Sequence, residues 1–166
     1  MSAPGPGPIT IADYDAQWTV RYEQERSHIA LALGDRAQII AHIGSTAVPG
    51  LAAKPVVDML VAVADVDDEG AYAPAVLAAG YMLRVREPGH RMFHTHARDV
   101  HLHVWSAGGG EIERHLRFRD WLREHEEDRR LYERVKRELA QRPWGDSNEY
   151  AQAKSGVIAE IMTRAR

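Results

Sequence analysis

Apolar and polar positions along the chain follow two different periods. Trp18, Tyr22, Ile29 and Leu33 recur at helical spacing. Asp15 stands where an N-cap belongs and Gly34 where a helix stops, so a helix is predicted between them. Gln38–Ile43 reads as a strand. Val56–Val63 is almost wholly apolar, the mark of a strand covered on both faces and central in its sheet. A helix follows near Gly70–Ala79, with Pro74 in its early part and Gly80 as terminator.

Period-two alternation then returns in Tyr81–Glu87, Arg91–His96 and Val100–Trp105. A tight turn at Ala97-Arg98-Asp99 separates the last two, and Arg91–His96 reads as a sheet edge. After the loop Ser106–Gly110 the period becomes helical again. Ile112, Leu116 and Arg119 share a face, with Phe118, Trp121 and Leu122 nearby. Leu131, Val135 and Leu139 mark a helix over about Glu127–Gln141. "RPWGD" (Arg142 to Asp146) interrupts it, and Asp146, with Glu149 three residues on, caps a last helix whose inward stripe is Tyr150, Val157, Ile158 and Ile161. The predicted class is α/β (α+β): a mixed sheet flanked by helices, with a helical C-terminal third. Residues 1–8, alternating Pro and Gly, read as a flexible leader to one domain over 9–166.

Composition narrows the partners. The chain has 166 residues, 45% hydrophobic and 27% charged, with a net charge of -3, so no global basic field draws in nucleic acid or an anionic membrane. Cysteine is absent, which excludes disulfides and thiolate metal sites and fits a reducing, cytoplasmic setting. "MSAPGPGP" offers no apolar signal segment, and the most apolar region, Ile39–Ala64, is broken by Lys54, Pro55 and Asp58. The expectation is a cytoplasmic protein without a membrane span; its oligomeric state is open.

The chemistry gathers in "AHIGSTAVPGLAAKPVVDMLVAV" (Ala41 to Val63). A strand runs into Gly44-Ser45, and a second strand carries the lone acid Asp58. Glycine permits a sharp turn and close approach of a phosphate. The following N–H groups, with the Ser45 and Thr46 hydroxyls, can hold phosphate oxygens. Thirteen positions separate Ser45 from Asp58, enough for one helical turn and a return. There the acid can hold a metal against those phosphates.

Strand, Gly-Ser, spacer and acid-bearing strand resemble the nucleotidyltransferase superfamily, whose pattern has a second acid two residues after the first. Here that place is Leu60. "HIGSTAVPGLAAKPVVDMLV", then "HLHV", "LRFRDWLR" and "YAQAK", resemble the GrpB family over nearly the whole chain. That resemblance implies a nucleotidyltransferase-like fold and no assigned reaction. Family members fused to a coenzyme A biosynthetic kinase imply an accessory role as the alternative.

His101 and His103 lie on one strand face, near where nucleotidyltransferases often carry a further acid. With Asp58 they form a candidate one-carboxylate, two-imidazole site for a divalent ion: zinc, manganese, iron or nickel rather than magnesium, which favours oxygen. Each also has a plainer reading, as a hydrogen-bonded strand histidine or a buried partner of Lys54. Gly44, Ser45, Thr46 and Lys54 are candidate phosphate contacts, with Ser45, Lys54 and Asp58 as the catalytic set. Lys54 reads equally well as a solvated loop lysine. Arg119 and Lys136, on charged helices, can close over phosphates or face solvent. Lys154, beside Tyr150 on the inward stripe, either lays its stem on apolar surface or reaches the site. His42 can reach the pocket or pack at the strand end, and His90, His94 and His96 are further possible ligands.

Two functions follow as expectations. One is metal-assisted transfer of a nucleotidyl or phosphoryl group, using a small phosphate-bearing ligand such as a nucleotide. The other is a binding or regulatory module that keeps the pocket without the chemistry. "HLHVW" does not make a histidine triad, since Trp105 occupies the third alternate place.

Overall fold

The computed structural model describes residues 9–142 and 147–165. The leader 1–8 and the Asp146 cap lie outside the described residues. Helix α1 spans Gln17–Leu33, and the Asp15 carboxylate accepts the Gln17 N–H at 2.9 Å just ahead of it. Strand β1 (Ile39–Ile43) turns through Gly44 into a single 3-10 turn at Ser45–Ala47, and β2 is Val57–Val63. Helix α2 is shorter than its apolar pattern suggested, Ala73–Ala78 behind a 3-10 turn at Glu69–Ala71. Strands β3 (Met82–Glu87), β4 (His90–His94) and β5 (Val100–Ser106) follow, then helices α3 (Gly110–Glu124), α4 (Glu126–Ala140), α5 (Ser147–Ala153) and α6 (Ser155–Arg164).

The strands form one mixed sheet in the order β1-β2-β5-β4-β3, with β2 and β5 parallel and the other neighbours antiparallel. The mixed sheet flanked by helices, with a helical last third, is therefore what the structure has. Its two faces bury separate apolar sets. Met59, Val61, Phe93, Leu102 and Val104 pack beneath Trp18, Tyr22, Ile29 and Leu33 of α1 and Val76 of α2. On the opposite face Ala41, Ile43, Leu60, Ala62 and Trp105 meet Ile112 of α3. Each fully buried aliphatic side chain contributes about 1.5–3 kcal/mol, so both faces are strongly committed and strand register cannot slip by one.

Three expectations are corrected. Strand β4 lies inside the sheet, between β5 and β3, and ends at His94; His96 sits in an exposed turn, so His94 and His96 share no strand face. The last helix is divided in two at Lys154. Helix α4 buries Asp128, Tyr132, Lys136 and Leu139, while Leu131 and Val135 are only partly covered.

His42 packs rather than reaching the cleft. Its ring stacks on Tyr22 of α1, and Nε2 lies 2.9 Å from the Thr46 hydroxyl. Burial is the main reason its pKa falls to about 4, against a counteracting pull from Asp58. The folded protein thus refuses a proton that the unfolded chain accepts. The stabilisation from neutral His42 is complete above pH 6.5 and is lost as the pH falls through 4. Between pH 7 and 4.5, His42→Phe, which keeps the ring stack, should lose about 2 kcal/mol less stability than the parent in urea unfolding. Equal losses would show that His42 takes no part.

Candidate functional site

The end of β1 and the beginnings of β2 and β5 meet at one edge of the sheet. In the ladder Asp58 stands opposite both Ile43 and His101, and Leu60 opposite His103. Paired residues share a face, so Asp58, His101 and His103 all project toward the helical third. They line a cleft of about 280 Å3 together with Gly44, Ser45, Thr46, Lys54, Arg84, Tyr132, Lys136, Tyr150 and Lys154.

The helical third builds the other wall by gripping the Ser45–Ala53 loop. Val48 and Leu51 insert among Leu122, Tyr132, Val157 and Ile161. Arg123 Nε donates to the Ala47 carbonyl at 2.9 Å. Both backbone groups of Ala52 are taken by α4: its N–H donates to Glu133 at 2.9 Å, and its carbonyl accepts from Lys136 Nζ at 2.6 Å. The same ammonium donates to Ser45 Oγ at 2.9 Å. Lys136 is 2% exposed, so the solvent-facing reading of this lysine does not hold. Burial first, then the nearby charge of Lys154, bring its pKa down to about 7.

The cleft is cationic. Lys54, Lys136, Lys154 and Arg84 line it against the single carboxylate of Asp58. Burial lowers the pKa of Lys154, with Asp58 opposing, and burial with Lys154 lowers that of Lys54. Burial alone pushes the Asp58 carboxyl up. His103, then His101 and the charge of Lys154, outweigh it and hold the group below the usual carboxylate range. Cations crowded at a partly dry surface raise the local positive potential.

His101 Nδ1 and His103 Nε2 each stand 3.6 Å from the same Asp58 oxygen. That spacing suits donors around one small ion, whose tetrahedral edge is about 3.4 Å for bonds near 2.1 Å. Among the described residues, however, no group of three His, Cys, Asp or Glu side chains closes on an ion position.

The other candidates separate clearly. Thr46 lines the cleft, but its hydroxyl is occupied by His42 and by the Val56 carbonyl at 3.3 Å. Arg119 is outside the lining; it donates to the His42 carbonyl at 3.1 Å and pairs with Asp120, bracing β1 from α3. His94, the ladder partner of His101, is buried with Nδ1 on the Thr95 carbonyl at 2.7 Å and is not among the cleft-lining residues. Arg84 and Tyr132 were not anticipated. The β3–β4 register shifts between Leu83 and Val85, so strict alternation does not govern Arg84. Tyr132 precedes Lys136 by one helical turn, a spacing that was legible.

Among the described residues no helix is long and apolar enough to cross a membrane. A UPF0157 protein of Streptomyces coelicolor is 54% identical over 157 residues, 95% of this chain and 84% of that protein. The crystal structure of the conserved protein GrpB from Enterococcus faecalis overlays with a TM-score of 0.83 at 30% identity, covering 94% of this chain and 96% of that one. A dephospho-CoA kinase of Mycolicibacterium paratuberculosis is 27% identical over 187 residues, 95% of this chain but 46% of that protein. The Cid1 poly(U) polymerase bound to MgGTP overlays at a TM-score of 0.45 and 13% identity over 68% of this chain and 42% of that one, a likeness too slight to carry an argument. A family model described as GrpB protein matches residues 8–164, and the chain belongs to the GrpB family.

Proposed function

We infer that the cleft binds a small phosphate-bearing ligand of the nucleotide class and transfers its nucleotidyl or phosphoryl group. The observation that carries this reading is the ring of Lys54, Lys136, Lys154 and Arg84 around Asp58, beside the Gly44-Ser45 turn. Lys136 and the Ser45 hydroxyl hold phosphate oxygens; Lys54, Lys154 and Arg84 offset the remaining charge. Asp58, with His101 and His103 beside it, would hold a divalent ion, which would supply Lewis-acid stabilisation of the transferring group. Zinc, manganese or nickel suits the nitrogen donors, and magnesium suits an oxygen set dominated by phosphate. The test is incubation of purified protein with nucleoside triphosphates, each divalent metal and a broad set of acceptors. Metal-dependent turnover lost in Asp58→Asn supports the transferase; no turnover in any combination overturns it.

A second reading is favoured by Leu60. At the place of the superfamily's second acid, this side chain is 0% exposed and packed with Ala41, Ile43, Ala62, Trp105 and Ile112. No acid could stand there without opening that cluster. The pocket would then serve a binding or regulatory module. The similarity to part of a dephospho-CoA kinase points to coenzyme A precursors as ligands. Thermal stabilisation by dephospho-CoA or nucleotides without turnover selects this reading over the first.

Both readings share a proton signature. With a pKa of about 7, Lys136 is mostly neutral at pH 8. A phosphate beside it favours the ammonium, so binding draws a proton from the buffer. Calorimetry at pH 8 in buffers of different ionisation enthalpy should show uptake of roughly one proton per ligand, and clearly less in Lys136→Met. Heat that is independent of the buffer contradicts this role for Lys136.

A further inference from the structure

Lys136 Nζ has two oxygen neighbours, Ser45 Oγ at 2.9 Å and the Ala52 carbonyl at 2.6 Å. It also stands 4.7 Å from the centre of the Tyr132 ring, one helical turn back on α4. The ring and the backbone carbonyl fix the lysine head, and its remaining direction is toward the serine. Ser45 and Lys136 both line the cleft. A hydroxyl at a cleft, an amine within hydrogen-bond reach of it and a third group that orients the amine are the parts of an activated nucleophile.

Protonation sets the direction of the Ser45 contact. The ammonium donates to both oxygens. Loss of the proton aimed at Ser45 leaves a lone pair there, while another N–H stays on the Ala52 carbonyl. The same contact then runs from the Ser45 O–H to Nζ. Burial is the main reason the lysine loses its proton near pH 7; the charges of Lys154 and Arg137 push the same way, and Glu133 opposes them. Tyr132 and Tyr150, whose hydroxyl donates to the Lys136 carbonyl, are raised to about 12, mainly by burial, and stay neutral. At pH 8 the ligand-free protein therefore holds Ser45 against a neutral amine.

We propose that Ser45 and Lys136 form a serine–lysine pair that cleaves small carboxylic esters through an acyl-serine. Ser45 Oγ bonds to the carbonyl carbon while its proton passes to Lys136 Nζ. The oxyanion forms in a cleft that already carries Lys54, Lys154 and Arg84. As the tetrahedral centre collapses, the C–O bond to the leaving group breaks and Lys136 returns the proton to the departing alcohol. Water then adds to the acyl-serine and gives Lys136 a proton; Ser45 Oγ leaves as the acid forms and takes that proton back. A cleft of about 280 Å3 restricts the acyl group to a short one. Neither nucleotide nor metal takes part, so this activity goes beyond the transfer reading. A phosphate bound beside Lys136 favours the ammonium and shuts the pair down, which keeps the two uses of the cleft apart.

Treatment of the full chain with an alkyl fluorophosphonate in EDTA, followed by peptide mass mapping, tests the pair. Ser45 Oγ bonds to phosphorus as fluoride leaves, so an adduct should appear on Ser45. Its rate should rise about tenfold from pH 6 to pH 8 and level off above, following the neutral fraction of Lys136. Lys136→Arg keeps a cationic donor that does not lose its proton, and should slow labelling about 10²-fold. Para-nitrophenyl acetate should be hydrolysed with an initial burst of nitrophenol, and Ser45→Ala should abolish it. Thermal melting shows whether the variants fold; if Lys136→Arg does not, the pH profile of the parent protein decides. A lysine that only pins the loop leaves Ser45 unlabelled at every pH. No adduct on Ser45, a rate that ignores pH between 6 and 8, equal labelling of folded Lys136→Arg, or hydrolysis unchanged in Ser45→Ala overturns the proposal. With metals chelated and no nucleotide present, failure of the transfer assays leaves this result untouched, and failure here leaves those assays to be judged alone.

Discussion

Asp58→Asn should lower turnover about 10³-fold or more, while melting within a few degrees of the parent protein. The first half follows from charge. Asp58 is the only carboxylate among the cleft-lining residues, set against three lysines and an arginine. Asparagine keeps the shape and removes the charge that faces both imidazoles at 3.6 Å. A loss of about 10³-fold corresponds to roughly 4 kcal/mol of transition-state stabilisation, a reasonable share for an anchoring carboxylate. The second half follows from exposure. The Asp58 side chain is 32% exposed, so water compensates part of the lost pairing, and the net cost to the fold is about 1–2 kcal/mol. Steady-state rates beside thermal unfolding separate the two effects. Turnover within tenfold of the parent would remove Asp58 from the chemistry.

Gly44→Ala should be strongly destabilising, costing about 2–5 kcal/mol. Gly44 has φ +74° and ψ -173°, a combination that a side chain disfavours strongly. A Cβ built there would meet Asp58 Oδ2 at 2.9 Å and Asp58 Cβ at 3.3 Å. Backbone strain contributes about 1–3 kcal/mol and overpacking a similar amount. The Asp58 carboxylate would also be pushed away from its place beside the turn, so the folded fraction should lose ligand response as well as stability. Chemical unfolding, with ligand binding measured on the folded protein, tests both parts. An alanine variant as stable as the parent would mean that the turn does not require glycine.

The close approach of Gly44 and Asp58 was legible as a motif, because a Gly-Ser turn and an acid-bearing strand carry their own physical logic. The strands were legible for a related reason: β2, with α1 against one face and α3 against the other, reads as an almost unbroken apolar run. The opposite wall was harder to see. Lys136 and Asp128 are charged, and charge on a helix ordinarily marks its solvated side, so the apolar positions Leu131 and Val135 drew attention to the wrong stripe. What buries Lys136 is a pair of long-range acceptors, Ser45 Oγ and the Ala52 carbonyl, and no local spacing announces those. Arg84 was hidden by the register shift in β3. Arg119 looked like a phosphate contact only because the carbonyl it braces, that of His42, lies far away in sequence.

Calorimetric titration of the protein with pyrophosphate and with a nucleoside triphosphate, repeated on a Lys136→Met, Lys154→Met double variant, tests the cationic cleft most directly. The account predicts saturable binding to the parent protein, weakened at least tenfold in the double variant and falling as salt is raised. Absence of binding to the parent, or equal affinity in the variant, would contradict it.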